Sequence, residues 1–310
     1  MPTDAIRAAV TVGTVPIVRT LLLLALLVGC TQIPGAATVP IVTETLVREP
    51  IAELKVMTFN LRHSGDAPPR SWELRRPVMR DLLTTAGPHL LGTQEGLPDQ
   101  LADIENDLGD HYDRIGLGRD GDDRGEQMAI FFDTTRLAPR EFGHYWLSST
   151  PEVPGSASWG TAFARMVTWV LFDDLETGRR FYAVNTHLDH MSADARFRGA
   201  RLITERIAGF EKLPVVMTGD FNSPAGPASE PYRVLTEQAG LRDAWVGAQV
   251  RGPEFGTFHD YQRLVPGGRR IDWILTTPDV TTTAAMMNTT GQDALYPSDH
   301  LPVQVRLRLP

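Results

Sequence analysis

The stretch VVMTGDFNSP, from Val215 to Pro224, joins an apolar run rich in β-branched residues to a glycine, an aspartate and an asparagine. The run that ends at Gly219 predicts a central strand closed by a sharp turn. Asp220 and Asn222 then lie at the carboxyl end of that strand. Two interpretations fit this stretch alone: the side chains hydrogen-bond their own turn, or they belong to a polar site.

The composition of the 310-residue chain is that of a globular protein, with 42% hydrophobic residues, 22% charged residues and a formal net charge of −8. The negative charge argues against a protein that coats a nucleic-acid backbone, because such proteins present a basic surface. Cys30 is the single cysteine. The chain therefore has no intramolecular disulfide and no cysteine cluster for zinc.

The first 30 residues predict an export signal. An apolar run from Leu21 to Val28 follows Arg19 and is too short to span a bilayer, as expected of a signal-peptide core. The tetrapeptide LVGC, which ends at Cys30, resembles a bacterial lipobox, whose cysteine carries a diacylglyceryl membrane anchor. The alternative is a general secretory signal cut nearby, which gives a secreted or periplasmic protein. Both interpretations predict export.

The rest of the chain predicts a tether and one folded domain. Residues 31–51 are small, polar and proline-containing, which favours a tether between the signal or lipoprotein segment at 1–30 and a domain at 52–310. No internal repeat follows, so a single domain is expected.

Apolar runs with β-branched or aromatic residues predict the strands Leu54–Asn60, His89–Thr93, Met128–Phe132, Met166–Phe172, Phe181–Thr186, Pro214–Gly219, Ile271–Thr276 and Val303–Leu309. Helical patterns cover Trp72–Ala86, Asp99–Leu108, a segment that begins at Ser192, and Ala228–Ala239. Many strands with a few intervening helices predict an α/β sandwich, with two packed sheets and the helices outside.

Polar side chains able to bind a cation or move protons recur where the predicted strands end. Each of them alone is more simply explained by a turn or a satisfied hydrogen bond. Strand ends converge in a sandwich, however, so that together they predict one site. The residues are Asn60, Glu95, His187, Asp220 with Asn222, Asp272, and Asp299 with His300.

The motifs GDFN at 219–222 and SDH at 298–300, with QE at 94–95 upstream, resemble those of the endonuclease/exonuclease/phosphatase superfamily. The resemblance runs from about Leu54 to Leu309. It implies a four-layer α/β sandwich, in which two mostly antiparallel sheets pack together between helices. It also implies hydrolysis of phosphate esters that depends on Mg²⁺, with Mn²⁺ as the alternative ion.

The resemblance also implies roles for individual residues. Glu95 is the expected main metal ligand, with Asn60 and Asp299 contributing directly or through water. Mg²⁺ prefers carboxylate oxygens and retains several waters, which suits so small a protein ligand set. Asp220 is expected to orient and deprotonate the attacking water, and Asn222 to hold that water or a phosphate oxygen.

Two histidines complete the implied catalytic set. His300 is expected to touch the scissile phosphate, with Asp272 fixing its tautomer. His187 is expected to help protonate the leaving oxygen, with Glu126 behind it.

Five arginines are candidate phosphate contacts, because a guanidinium binds phosphate through paired N–H donors. A surface ion pair explains each of them equally well. They are Arg62, Arg165, Arg196, Arg269 and Arg270. The glycine- and charge-rich loop at 116–125 is a candidate lid.

Three functional hypotheses stay open. The first, favoured by the negative charge, is a metal-dependent phosphodiesterase or phosphomonoesterase that acts outside the cytoplasm on lipid headgroups, nucleotides or other small esters. The second is an envelope-bound or secreted nuclease, which a steep loss of activity with salt would reveal. The third is an inactive lipoprotein binding module, against which the retained site residues count. The expected partners are a phosphate-ester substrate and, through Cys30, a membrane; we expect a monomer.

Overall fold

The computed structural model of the protein describes residues 52–291 and 295–310, all within one structural unit. The predicted segments 1–30 and 31–51, including Cys30, lie outside the described residues. Within the described ranges, no helix has the length and apolar character needed to cross a membrane.

The strands, in chain order, are β1 (Leu54–Asn60), β2 (Leu90–Gln94), β3 (Tyr112–Ile115), β4 (Ile130–Asp133), β5 (Leu137–Trp146), β6 (Met166–Asp174), β7 (Arg179–His187), β8 (Val215–Asp220), β9 (Arg242–Asp243), β10 (Val250–Arg251), β11 (Asp272–Thr276), β12 (Thr281–Met287) and β13 (Val303–Arg308). The helices are α1 (Trp72–Ala86), α2 (Pro98–Leu108), α3 (Ala193–Ala208), α4 (Glu230–Arg233), which continues as a π-helical turn at Val234–Gln238, and α5 (Ala244–Gly247).

Two sheets of mixed direction form the centre of the fold. One has seven strands in the order β10-β12-β13-β1-β2-β4-β3, and the other has six in the order β5-β6-β7-β8-β11-β9. Most neighbouring strands are antiparallel, as expected; the parallel pairs are β1 with β2, β7 with β8 and β10 with β12.

The sheets pack face to face between two helical layers. Val56 and Phe132 of the seven-stranded sheet share a buried cluster with Phe172, Val216 and Ile274 of the six-stranded sheet. Successive strand residues point to opposite faces of a sheet. The residues that face away from the other sheet pack against the helices. On the seven-stranded sheet these include Met57 and Phe59, packed with Met79 of α1 and Ile104 of α2.

The outer face of the six-stranded sheet is covered by α3 and the π-helical turn. Val184 and Met217 of this sheet pack with Ala200 and Ile203 of α3 and with Leu235. Ser192 caps α3 as predicted, since its hydroxyl accepts a hydrogen bond from the backbone N–H of Ala195 at 3.1 Å. The predicted four-layer α/β sandwich is confirmed.

A polar network joins the sheets next to their carboxyl strand ends. The Oδ1 atom of Asn185 on β7 accepts hydrogen bonds from Gln94 on β2 at 2.8 Å and from Thr218 on β8 at 3.0 Å. Gly92 on β2 lies against this network, and a Cβ atom there would be 2.0 Å from the hydroxyl oxygen of Thr218. The sheets can approach this closely only because position 92 has no side chain.

Candidate active site

The ends of several strands from both sheets meet at one edge of the sandwich, around a cavity of about 460 Å³. Parallel pairing aligns Asn60 at the end of β1 with Gln94 at the end of β2. It also aligns His187 at the end of β7 with Asp220 at the end of β8. Asp272 begins the antiparallel strand β11 and pairs with Asp220. Sheet register thus brings residues far apart in sequence to one place.

The structure brings the nine predicted site residues together at this cavity. Asn60 and Asp272 are fully buried and hydrogen-bonded to residues of the cavity wall. The other seven line the cavity: Glu95, Glu126, His187, Asp220, Asn222, Asp299 and His300. Their catalytic and metal-binding roles stay predictions.

Asn60 connects the two sheets at the cavity floor. Its Nδ2 atom donates to Oε1 of Glu95 at 2.9 Å and to Oδ2 of Asp220 at 3.0 Å. Glu95 has a φ of 62°, in the left-handed region. Backbone strain of this kind, which costs on the order of 1–3 kcal/mol, is typical of functional sites where surrounding contacts hold the residue in place.

Asp220 uses its two carboxylate oxygens differently. Oδ1 accepts a hydrogen bond from the backbone N–H of Asn222 at 2.8 Å, which is the turn contact considered for this stretch. Oδ2 accepts from Asn60 and lies 3.4 Å from Nε2 of His187 and 3.8 Å from Nε2 of His300. Burial, together with the neighbouring Asp272 carboxylate, raises the pKa of Asp220 to about 7. A carboxylate with such a pKa is well matched to accept a proton at neutral pH.

His300 is held in its charged form by carboxylates. Its Nδ1 atom lies 3.0 Å from Oδ2 of Asp272. Burial by itself lowers the pKa of His300, but the charges of Asp272 and Asp220 outweigh it and raise the pKa to about 10. The imidazolium can therefore bind a negatively charged oxygen.

His187 has the opposite electrostatic environment. Burial, and after it the positive charge of Arg165, lowers the pKa of His187 well below its ordinary value. Its Nε2 atom lies 2.9 Å from Nδ2 of Asn222, which also donates to the backbone oxygen of Leu188 at 3.0 Å. The cavity thus holds one charged and one neutral imidazole, an arrangement typical of acid–base sites.

The donor set fits a hard divalent cation. Donor atoms of Glu95, His187 and Asp220 lie within 4.8 Å of one another. Burial raises the pKa of Asp299, and the nearby Glu95 adds to this although His300 opposes it. Carboxylate oxygens are the ligands that Mg²⁺ or Mn²⁺ prefers, and a bound cation would offset the repulsion between these carboxylates.

Glu126 lies at the same cavity but is paired with Arg119. Its Oε2 atom is 2.5 Å from Nη1 of Arg119, and burial raises the pKa of its carboxyl. The Nδ1 atom of His187 makes no hydrogen bond with any described residue. The structure thus does not join Glu126 directly to His187, and a catalytic role for Glu126 stays a prediction.

Two of the five candidate arginines, Arg62 and Arg165, line the cavity. Arg270 is buried in an ion pair of 2.7 Å with Asp243. Cavity residues that sequence reasoning missed include Arg70, Phe163, Phe258 and Tyr261. They lie in loops without a strand-end signal. Arg119, also in the cavity wall, belongs to the loop singled out as a candidate lid.

Comparisons with known proteins agree with this geometry. A sequence model of the Endonuclease/Exonuclease/phosphatase family matches residues 57–300. No curated protein sequence matches the chain.

Three solved structures are similar over nearly their whole length. A protein of this family from Bacteroides thetaiotaomicron is 32% identical, with a TM-score of 0.78 and coverage of 84% of this chain and 98% of its own. The mannosyl-6-phosphatase of Bacteroides thetaiotaomicron is 32% identical, with a TM-score of 0.75 and coverage of 82% and 99%. A family protein from Bacteroides vulgatus is 33% identical, with a TM-score of 0.75 and coverage of 84% and 100%.

Proposed function

We propose, from the premise that this chain belongs to the endonuclease/exonuclease/phosphatase family, that it is a divalent-metal-dependent hydrolase of phosphate esters that acts outside the cytoplasm. The observation that carries the proposal is the convergence of Asp220, His187 and His300 in one cavity, where Oδ2 of Asp220 lies 3.4 Å from Nε2 of His187 and 3.8 Å from Nε2 of His300. Their environments separate their pKa values: the pKa is near neutrality for Asp220, raised for His300 and lowered for His187. Asp220 can therefore accept a proton at neutral pH while His300 keeps its positive charge.

The carboxylates of Glu95 and Asp299 at the cavity support the metal dependence in this proposal. Glu95, Asn60 and Asp299 would hold Mg²⁺ or Mn²⁺, which supplies charge neutralisation for the phosphate and a more acidic water. In this proposal Asp220 accepts a proton from the attacking water. Asn222 holds that water or a phosphate oxygen, and His300 binds a phosphate oxygen through its charge.

His187 is proposed to pass a proton to the leaving oxygen. In the protein by itself the imidazole is neutral, because burial and Arg165 lower its pKa. A phosphate bound beside it brings negative charge, which favours the protonated form of His187. Substrate binding therefore favours the protonated His187 that can act as the general acid.

The location of the protein is proposed from the amino-terminal sequence alone. An apolar run that ends at the lipobox-like Cys30 supports export and a lipid anchor. If Cys30 carries no lipid, the protein is secreted or periplasmic. We further propose that the protein is a monomer.

The test is hydrolysis of a substrate panel by the purified protein, with Mg²⁺ or with EDTA. The panel contains p-nitrophenyl phosphate, bis-p-nitrophenyl phosphate, mannose 6-phosphate, sphingomyelin and plasmid DNA. We expect turnover of at least one ester with Mg²⁺ only, and a loss of about 10²-fold or more in both His187→Ala and His300→Ala, with an unchanged circular dichroism spectrum. Absence of turnover in any metal would instead favour an inactive binding module.

A second candidate function is that of an envelope-bound or secreted nuclease. Four arginines along the cavity wall support it, since guanidinium groups bind a phosphate backbone: Arg62, Arg70, Arg119 and Arg165. DNA cleavage that falls steeply between 50 and 200 mM salt, by roughly 10²-fold for four phosphate contacts, would favour this function. A small ester hydrolysed with little dependence on salt would favour the first.

A further inference from the structure

Arg165, just before β6, is a buried arginine of the cavity wall with unused hydrogen-bonding capacity. Its side chain is 5% exposed. The Nη2 atom lies 3.0 Å from Nδ1 of His190, whereas Nε and Nη1 make no hydrogen bond with any residue of the described ranges. The carboxylate of Asp189 is 3.7 Å from Nε, outside hydrogen-bond distance. Buried donors without an acceptor are costly, so Arg165 is a position where a ligand oxygen would be stabilised.

The other three arginines of the cavity wall are more fully paired than Arg165. Each has a carboxylate oxygen within hydrogen-bond distance, which offsets part of its charge. The pairs are Arg62 with Asp66 at 2.7 Å, Arg70 with Asp260 at 3.4 Å and Arg119 with Glu126 at 2.5 Å. Arg165 is therefore the guanidinium with the most capacity to bind an added anion.

Arg165 also lies close to the groups proposed to act on the phosphate. It lines the same cavity as His187 and His300. It has a partner charge in Arg119, since both guanidinium groups face the ring of Phe163, at 4.4 Å for Arg119 and 5.9 Å for Arg165. The Nε atom of Arg119 likewise makes no hydrogen bond in the described part of the chain. The cavity wall that includes His187 thus contains two guanidinium groups, those of Arg165 and Arg119, with N–H donors that have no acceptor in the described residues.

We propose that Arg165, assisted by Arg119, forms a subsite for the dianionic phosphate of a monoester and makes the protein prefer phosphate monoesters to diesters. This inference rests on the proposed function and narrows its substrate class. A phosphate monoester carries a charge of roughly −1.5 to −2 at pH 7 and has three free oxygens. A diester carries one charge and has two free oxygens, and its second ester group would occupy the place of the oxygen that Arg165 binds.

The experiment compares kcat/KM for p-nitrophenyl phosphate and bis-p-nitrophenyl phosphate in the full-length protein with Mg²⁺. We expect the wild type to prefer the monoester. In Arg165→Met we expect a loss of about 10²-fold for the monoester but less than about tenfold for the diester, since a charged hydrogen bond is lost mainly from the dianion. Arg198→Met is the matched control, because Arg198 is exposed on α3 and pairs with Asp194.

Binding of inorganic phosphate, measured by calorimetry, gives a readout without turnover. We expect Arg165→Met to weaken it at least tenfold and Arg198→Met to leave it unchanged. If Arg165→Met does not fold, as judged by circular dichroism, Arg119→Gln serves as the second variant, with an expected tenfold loss for the monoester.

The outcomes separate the inference from the proposed function. An equal loss for both esters in folded Arg165→Met, or a wild type that prefers the diester, overturns the monoester subsite and leaves the phosphoesterase proposal intact. A wild type that hydrolyses no ester of the panel with any divalent metal overturns the phosphoesterase proposal itself.

Discussion

Asp272 and His300 form a buried hydrogen bond, with Oδ2 of the aspartate 3.0 Å from Nδ1 of the histidine. The histidine side chain is 6% exposed and that of the aspartate 1%. Because Asp272 lies on β11 opposite Asp220 of β8, the sheet fixes this carboxylate relative to the other groups of the site. The pair orients the imidazole and keeps it protonated.

We expect Asp272→Asn to lower the pKa of His300, since the amide removes the main negative charge that raises it. Turnover should fall by about 10²-fold or more, because the imidazolium no longer binds the phosphate. Proton NMR titration of His300 and the kcat for p-nitrophenyl phosphate measure both effects. Asp194→Asn, at an exposed position of α3, is the control. An unchanged His300 titration in Asp272→Asn would contradict the assigned electrostatics.

Arg75 on α1 fixes the loop after β1 and the chain just before Asp299. Its guanidinium, fully buried, donates to backbone oxygens of Arg70, Leu61, Pro297, Arg62 and His63 at 2.8–3.0 Å. We expect Arg75→Met to reduce the free energy of unfolding by on the order of 3 kcal/mol, because these carbonyl groups lose their donor. Urea denaturation measures the change. Arg80→Met, at an exposed position of the same helix, should change it by less than about 0.5 kcal/mol, and equal effects would contradict this account.

Gly92 permits the close approach of the two sheets. An added Cβ would lie 2.0 Å from Oγ1 of Thr218 and 2.7 Å from Oδ1 of Asn185, so Gly92→Ala must displace the network that joins the sheets. We expect a loss of unfolding free energy of about 1–3 kcal/mol or more, as for overpacked cores. Gly247→Ala is the control, because no atom lies within 4 Å of its added Cβ. A thermal melt in which both variants match the wild type would contradict the predicted clash.

The two packed sheets with helices outside were predictable from the sequence pattern because the central strands are buried apolar runs. β8 and β1 are of this kind, and both were predicted. β5 was missed because its exposed middle contains a proline and two charged residues in place of an apolar run, as suits a strand at the edge of its sheet. β12 was also missed; it begins with three threonines and two alanines, so that only its last two residues, both methionine, are large and apolar.

The position of the site was predictable because strand ends converge, whereas its contacts were not. The pairing of Asp272 with Asp220 follows from sheet register, which local sequence does not reveal. The pairing of Glu126 with Arg119 is a loop contact without a periodic signal. The role of Arg75 was not predictable from a sequence motif, because its guanidinium binds backbone oxygens, among them that of the distant Pro297.

Burial lowers the pKa of His144 on β5 from its ordinary 6.5 to about 4. Between these values the unfolded chain binds a proton that the folded protein does not, so the free energy of unfolding falls as the pH drops through this window. Because glutamine does not titrate, His144→Gln lacks this pH-dependent loss of stability. Between pH 7 and pH 4 we expect the free energy of unfolding of the variant to rise relative to that of the wild type by up to about 3 kcal/mol. Guanidinium denaturation at both pH values measures the gain, and a constant difference between the two proteins would show that His144 does not titrate this way.

The most direct test of metal-dependent hydrolysis is a Mg²⁺ titration of EDTA-treated protein with the ester that it hydrolyses best. The wild type should be inactive without the ion and recover turnover with saturation. Glu95→Gln removes the expected main ligand while keeping the side-chain shape, and should recover less than about one hundredth of that rate at the same Mg²⁺ concentration. Full activity in EDTA, or an identical titration curve for Glu95→Gln, would contradict the proposed metal site.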